Sequence, residues 1–173
     1  IGLENLDALP KNLLENLSAD EEIIAALKTR TIAHKPDYTI LTNRRIIYFN
    51  EKYLGRYEMK VIPYQKLEEM TAERGRVRFG SIVFKSEEEE EVNLNKVPKD
   101  DIEEFVNALE EAINAIAAEP VSITRKKGMM GKMEWQFLKP PEMVFRSAPQ
   151  AKPQTPSTPT DPLAALKMRF VRG

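Results

Sequence analysis

Four groups of side chains in this sequence are of types and spacings that could do chemistry. His34 is the single histidine. A general base needs an orienting partner and a nucleophile, and a metal site needs further ligands. Neither lies near it in the sequence, so it reads as an ordinary residue at a strand end. Leu41, Thr42, Arg44 and Arg45 form a compact turn motif. An arginine fork fits phosphate or carboxylate, but the same residues can fix a turn, with Thr42 bonding the turn backbone and Arg45 pairing with a carboxylate or carbonyl. The second reading is preferred. Five consecutive glutamates at 87–91 offer oxygen ligands without the alternating spacing and glycine of a calcium loop, so they read as a solvated turn. Arg125, Lys126, Lys127 and Lys132 surround Met129 and Met130 and precede Trp135. Such a basic, apolar and aromatic hairpin can touch anionic lipid or nucleic acid. Alternatively, Trp135 and Phe137 pack inward while the lysines face water or the hairpin docks on the acidic part of the chain.

The sequence contains no cysteine, which removes disulfides, thiolate nucleophiles and the common structural zinc sites. It has no glycine-rich phosphate loop, nucleophile elbow or metal-ligand cluster. These residues imply no catalytic site, no metal, no cofactor and no small-molecule substrate, and thus not an enzyme. The chain has 173 residues, 42% hydrophobic and 31% charged, enough for one cored domain with appendages. No apolar run is long enough to cross a bilayer and no signal segment opens the chain, which places the protein in the cytoplasm, with a peripheral membrane contact left open. The overall charge of −1 hides an asymmetry: residues 1–118 carry a net −7 and residues 119–173 a net +6. An acidic body with a basic tail bears on partners, or on how the tail lies on the body.

The elements that would position these groups follow from hydrophobic period. A short amphipathic turn covers 12–17, and Ser18-Ala19-Asp20-Glu21 has the form of a capping box. With Ile23, Ile24 and Leu27 it predicts a helix ending near Lys28. The period then changes to two, predicting strands at 29–35, 38–41, 45–49, 56–62, 66–72, 77–85 and 91–94, broken by Pro36, Asn43, Gly55, Pro63, Gly75 and the glutamate run. Pro98 and Asp100 open a helix whose stripe is Ile102, Phe105, Val106, Leu109, Ile113 and Ile116, and Glu119-Pro120 ends it. Segments 121–125 and 134–138 predict a β-hairpin. Residues 147–160 are rich in Pro, Thr and Ser and form a linker. Asp161-Pro162 then starts a final helix carrying Leu163, Leu166 and Phe170.

The order of strands closed by one helix, together with Leu41, Thr42, Arg45, Ile46 and Ile47, resembles the prokaryotic pleckstrin-homology (PH-like) family. Ile62-Pro63-Tyr64 and Val97-Pro98-Lys99-Asp100 are similar to two further marks of that family. The segment Asp161-Pro-Leu-Ala-Ala-Leu-Lys167 resembles the opening of the short C-terminal (SHOCT) domain, of which only the first half is present. The resemblance implies an antiparallel β-barrel or sandwich of about seven strands, capped by a C-terminal amphipathic helix and preceded by an N-terminal helix, an α+β and mainly β fold. It also raises a comparison with PH domains that hold lipid headgroups on basic residues of the first hairpin. Lys28, Arg30 and Lys35 lie there, but Asp37 interrupts them and 38–41 adds no cation, so this cluster is incomplete.

The expected organisation is a helical segment at 1–28, a barrel with its helix at 29–118, a β-hairpin extension at 119–146, a linker at 147–160 and the SHOCT-like start at 161–173. The expected activity is that of an interaction module. Its partner would be a protein or peptide, with self-association through Leu163, Leu166 and Phe170. An anionic membrane surface met by the hairpin around 125–132 is the alternative, and nucleic acid ranks last.

Overall fold

A computed structural model describes residues 8–29 and 35–146 of the chain. The described strands are β1 (Ile23–Thr29), β2 (Asp37–Thr42), β3 (Arg45–Glu51), β4 (Tyr57–Pro63), β5 (Leu67–Arg74), β6 (Phe79–Ser86), β7 (Glu91–Pro98), β8 (Thr124–Lys127) and β9 (Met133–Leu138). They build two antiparallel sheets, one in the order β1-β2-β3-β4 and one in the order β7-β6-β5-β9-β8. The mainly β, antiparallel reading is borne out, with nine strands among the described residues in place of about seven.

The long helix α2 (Lys99–Ile116) forms where the stripe predicts it, with Asp100 and Asp101 at its positive end. It lays Ile102, Phe105, Val106, Leu109 and Ile113 onto a core shared by β1, β2, β5, β6 and β7. Phe105 meets Phe84 edge to face, with ring centroids 6.4 Å apart. Each such buried side chain contributes roughly 1.5–3 kcal/mol of transfer free energy. Where β6 bulges between Gly80 and Ile82, an added Cβ on Gly80 would strike the Glu73 carbonyl and come 2.5 Å from Ile102 Cδ1. Glycine is what lets the strand pass so close beneath the helix.

Two expectations are corrected. The first concerns 18–28: Ile23–Thr29 is a strand, and N-terminal helix is confined to one turn, α1 (Lys11–Leu14). The cause is burial on both faces. Leu27 belongs to the main core, while Ala26, Tyr38, Ile40, Ile47 and Phe49 form a second cluster on the other face of the first sheet, covered by Leu9 and Leu13. A strand covered on both sides is a continuous apolar run without alternation, and its spacing mimics a helix.

The second correction concerns the hairpin read as an extension. Strand β9 pairs with β5 from Glu69↔Leu138 to Arg74↔Met133, so the hairpin is part of the second sheet. Its alternating Met133, Trp135 and Phe137 are buried in the main core.

Candidate functional site

The turn between β2 and β3 holds the sequence motif. Leu41 is buried in the core. The Arg44 and Arg45 backbone N–H groups both donate to Thr42 Oγ1 at 3.0 Å, and the Thr42 hydroxyl donates to Glu21 Oε2 at 2.7 Å. Arg45 grips the same carboxylate with both arms of its fork, Nε to Oε2 at 2.8 Å and Nη2 to Oε1 at 2.9 Å. Its Nη2 also donates to the Asn16 carbonyl at 3.0 Å. The Ser18 backbone N–H completes the set at 3.1 Å from Glu21 Oε1. The carboxylate therefore accepts four hydrogen bonds, one for each lone-pair site it has.

Glu21 has a fully buried side chain. Burial alone would raise its carboxyl, but the hydrogen bonds from Arg45, Thr42 and Ser18, with the charge of Arg45, outweigh it and hold the group below its usual value. Arg45 is raised in turn by its hydrogen bond to Glu21, against the opposing effect of burial. Tyr64 donates to the Thr42 carbonyl at 2.6 Å, and burial pushes its phenol well up, with the Glu21 charge adding to it. The side chain of Arg44 lies outside this knot and reaches Asp20 at 2.5 Å. Of the two readings of the motif, the geometry is that of the turn-fixing one, since the anion Arg45 holds is the protein's own. The Ser18–Glu21 spacing does make its side-chain bond, but in a turn that leads into a strand.

The cluster of Lys28, Arg30 and Lys35 is dispersed. Lys28 lies 5.9 Å from the centre of the Tyr38 ring, and Lys35 lines a small cavity of about 220 Å³ with Asp37, Tyr48 and Tyr53. Arg30 and His34 lie outside the described residues, as do Leu163, Leu166 and Phe170. Among the described residues no group of three or more His, Cys, Asp or Glu is placed to hold a metal ion. The glutamate turn is tied to cations: Lys66 pairs with Glu88 at 2.9 Å and Lys139 with Glu87. The hydrogen bond from Lys139 holds the Glu87 carboxyl below its usual value.

The basic hairpin divides into two parts. Trp135 points inward and is buried, so it is not part of a contact surface; on a strand of period two, the core claims Met133, Trp135 and Phe137 together. Arg125, Lys126 and Lys127 are exposed along β8, and Met129 and Met130 crown the turn. Arg125 pairs with Glu103 at 3.3 Å and Lys132 with Glu73 at 3.5 Å.

The sequence reading missed a neighbour of this turn. The β5–β6 turn brings Arg76, Val77 and Arg78 beside it, with Arg76 Nη1 3.3 Å from Met130 Sδ. The available sign was Gly75 before Arg-Val-Arg, a turn in which an apolar residue has no core to enter.

A further hollow, about 730 Å³, lies where the chain leaves α2 and where it leaves β9. Pro120, Val121, Pro140, Pro141, Met143 and Val144 line it, with Glu119 and Glu142 adding charge. Its two sides are joined by Ala118 N–H to the Val144 carbonyl and Arg146 N–H to the Ile116 carbonyl, both 2.8 Å. The helix side chain Asn114 bonds both backbone groups of Val121 at 2.7 and 3.0 Å, which steadies one wall.

No helix among the described residues is long and apolar enough to cross a membrane. Compared with known proteins, residues 17–111 match the family described as Bacterial PH domain. The chain is also similar to an uncharacterised protein of Archaeoglobus fulgidus, 39% identical over 171 residues, which spans 97% of this chain and 89% of that protein.

Proposed function

The chain belongs to the bacterial PH domain family, and from that premise we propose that it is a non-enzymatic interaction module of the cytoplasm, whose PH-like sandwich under α2 holds a protein or peptide partner. The observation that carries this reading is the hollow between 118–121 and 140–144. Its lining is more apolar than polar, three of its residues are prolines that lose little entropy on binding, and two glutamates can orient a partner's cations. The non-enzymatic part is supported by the use made of the strongly placed charges: Glu21 and Arg45 bind each other and the turn backbone, which leaves neither free for acid–base work.

The SHOCT-like segment at 161–173 is proposed to self-associate through Leu163, Leu166 and Phe170, because an apolar stripe on a short helix needs a second surface to cover it. Two experiments test the proposal. In a pull-down from a lysate of the source organism, a partner held by the native protein is expected to be lost on Val121→Asp with Met143→Asp; retention by both forms sinks the hollow as the contact. Light scattering on the full chain and on residues 1–146 tests the tail, and identical monomer masses count against it.

A further inference from the structure

Pairing of β5 with β9 brings two turns to one end of the five-stranded sheet, because Arg74 faces Gly80 across β6 and Met133 across β9, and Met133 faces Lys127. At their tips Val77 is 76% exposed, Met129 81% and Met130 69%. Exposures this high belong to a protrusion, where neither a small ligand nor a peptide finds walls. Around these tips stand Arg76, Arg78, Lys126 and Lys127, and among the described residues none of the four has an ion-pair partner.

The backbone adds a second peculiarity. Met130 sits at φ +60° and Gly131 at φ +85°, with Lys132 N–H bonded to the Met129 carbonyl at 3.2 Å. That is a tight hairpin turn in which Asn-Gly is the usual low-energy choice. A methionine there carries left-handed strain and leaves its apolar side chain in water.

We infer that this two-turn tip is a docking surface for an anionic lipid bilayer, independent of the hollow described above. Val77, Met129 and Met130 enter the headgroup–acyl boundary, where unbranched methionine adapts to disordered chains. The cations stay at headgroup level, their stems lying along the apolar tips. Each unpaired cation close to such a surface is expected to be worth about fivefold in partitioning, fading within a Debye length. Nucleic acid fits less well, because Trp135 is inside the core and the tips are crowned by aliphatic Val77, Met129 and Met130, with the neighbouring Phe79 only half exposed.

The test is co-sedimentation of the full chain with vesicles of phosphatidylcholine alone and of phosphatidylcholine with a minority of phosphatidylglycerol, at low and physiological salt. Binding is expected to the anionic vesicles only and to weaken with salt. The variant Val77→Ser/Met129→Ser/Met130→Asn is expected to bind at least about tenfold more weakly, and Arg78→Gln/Lys126→Gln/Lys127→Gln about a hundredfold more weakly. Fluorescence of the single, buried Trp135 reports that each variant is folded. The variant of the hollow is expected to bind vesicles as the native chain does, which separates failure here from failure of the proposed partner site. No pelleting at low salt overturns the inference, as does an apolar-tip variant that binds like the native protein. Equal retention on soluble polyglutamate, lost through the same apolar changes, would assign the tip to an acidic protein instead.

Discussion

The turn at Thr42 and the tip at Met130 are both hairpin ends rich in arginine or lysine, yet they spend their charge in opposite ways. At Thr42 the fork of Arg45 closes on a buried carboxylate whose four acceptor sites are all filled from within the chain. At Met130 the neighbouring cations Lys126, Lys127 and Arg78 make no ion pair among the described residues, although Lys126 faces Glu134 across the hairpin, and the apolar side chains beside them lie in water. A satisfied network contributes to folding. Exposed cations without a partner contribute little to folding, while apolar side chains left in water gather at contact surfaces. The difference teaches that the family-like motif is read best as architecture, and it is why the proposed membrane contact falls on a part of the chain that carries no motif.

Perturbing the two ends separately sharpens or breaks that contrast. The largest effect is expected from Glu21→Gln, which strips the charge that Arg45 is buried against; it should lower unfolding free energy by about 3 kcal/mol in denaturant titration and leave vesicle binding of the folded protein intact. Acid removes the same interaction. The folded-state pKa of Glu21 is depressed below 4.5, so its stabilising contribution is fully present above that pH and is lost as pH falls through the folded value. Melting temperature followed below pH 4.5 should therefore fall more steeply for the native chain than for Glu21→Gln; parallel curves would contradict the assignment.

Thr42→Val leaves two turn N–H groups and one carboxylate oxygen short of a partner, and should cost about 2 kcal/mol by the same titration. At the tip the sign reverses: Met130→Asn fits the left-handed position and should raise stability by about 1 kcal/mol while weakening vesicle binding. Smallest of all, Lys126→Gln with Lys127→Gln should change stability by less than about 0.5 kcal/mol, as expected for exposed charges. A large loss there would mean that the tip, too, is part of the fold's own support.

What could be read in the sequence depended on how local its cause was. Helix α2 was legible because one face is apolar and the other wet, and the turn at 42–45 because Thr42 acts on its own turn backbone. Strand β1 was not, since its period is erased by the second cluster that Leu9 and Leu13 press on it. The partner of Arg45 lies 24 residues earlier, and Arg76 meets a residue 54 positions away, so neither contact leaves a spacing to detect. Trp135 beside lysines fits a surface aromatic as well as a core one. Which face of β9 it occupied was set by the register with β5, a long-range choice.

The two-sided burial of the first sheet also bears on how such modules are cut and recombined. The recognisable family stretch is 17–111, yet Leu9 and Leu13 seal the sheet from before it, and Met133, Trp135 and Phe137 fill the core from beyond it. A fragment trimmed to the recognisable stretch would lose both coverings and should aggregate along its bared β5 edge and outer sheet face. The unit that can be moved between proteins is therefore larger than the unit that can be recognised, and its flanks must travel with it.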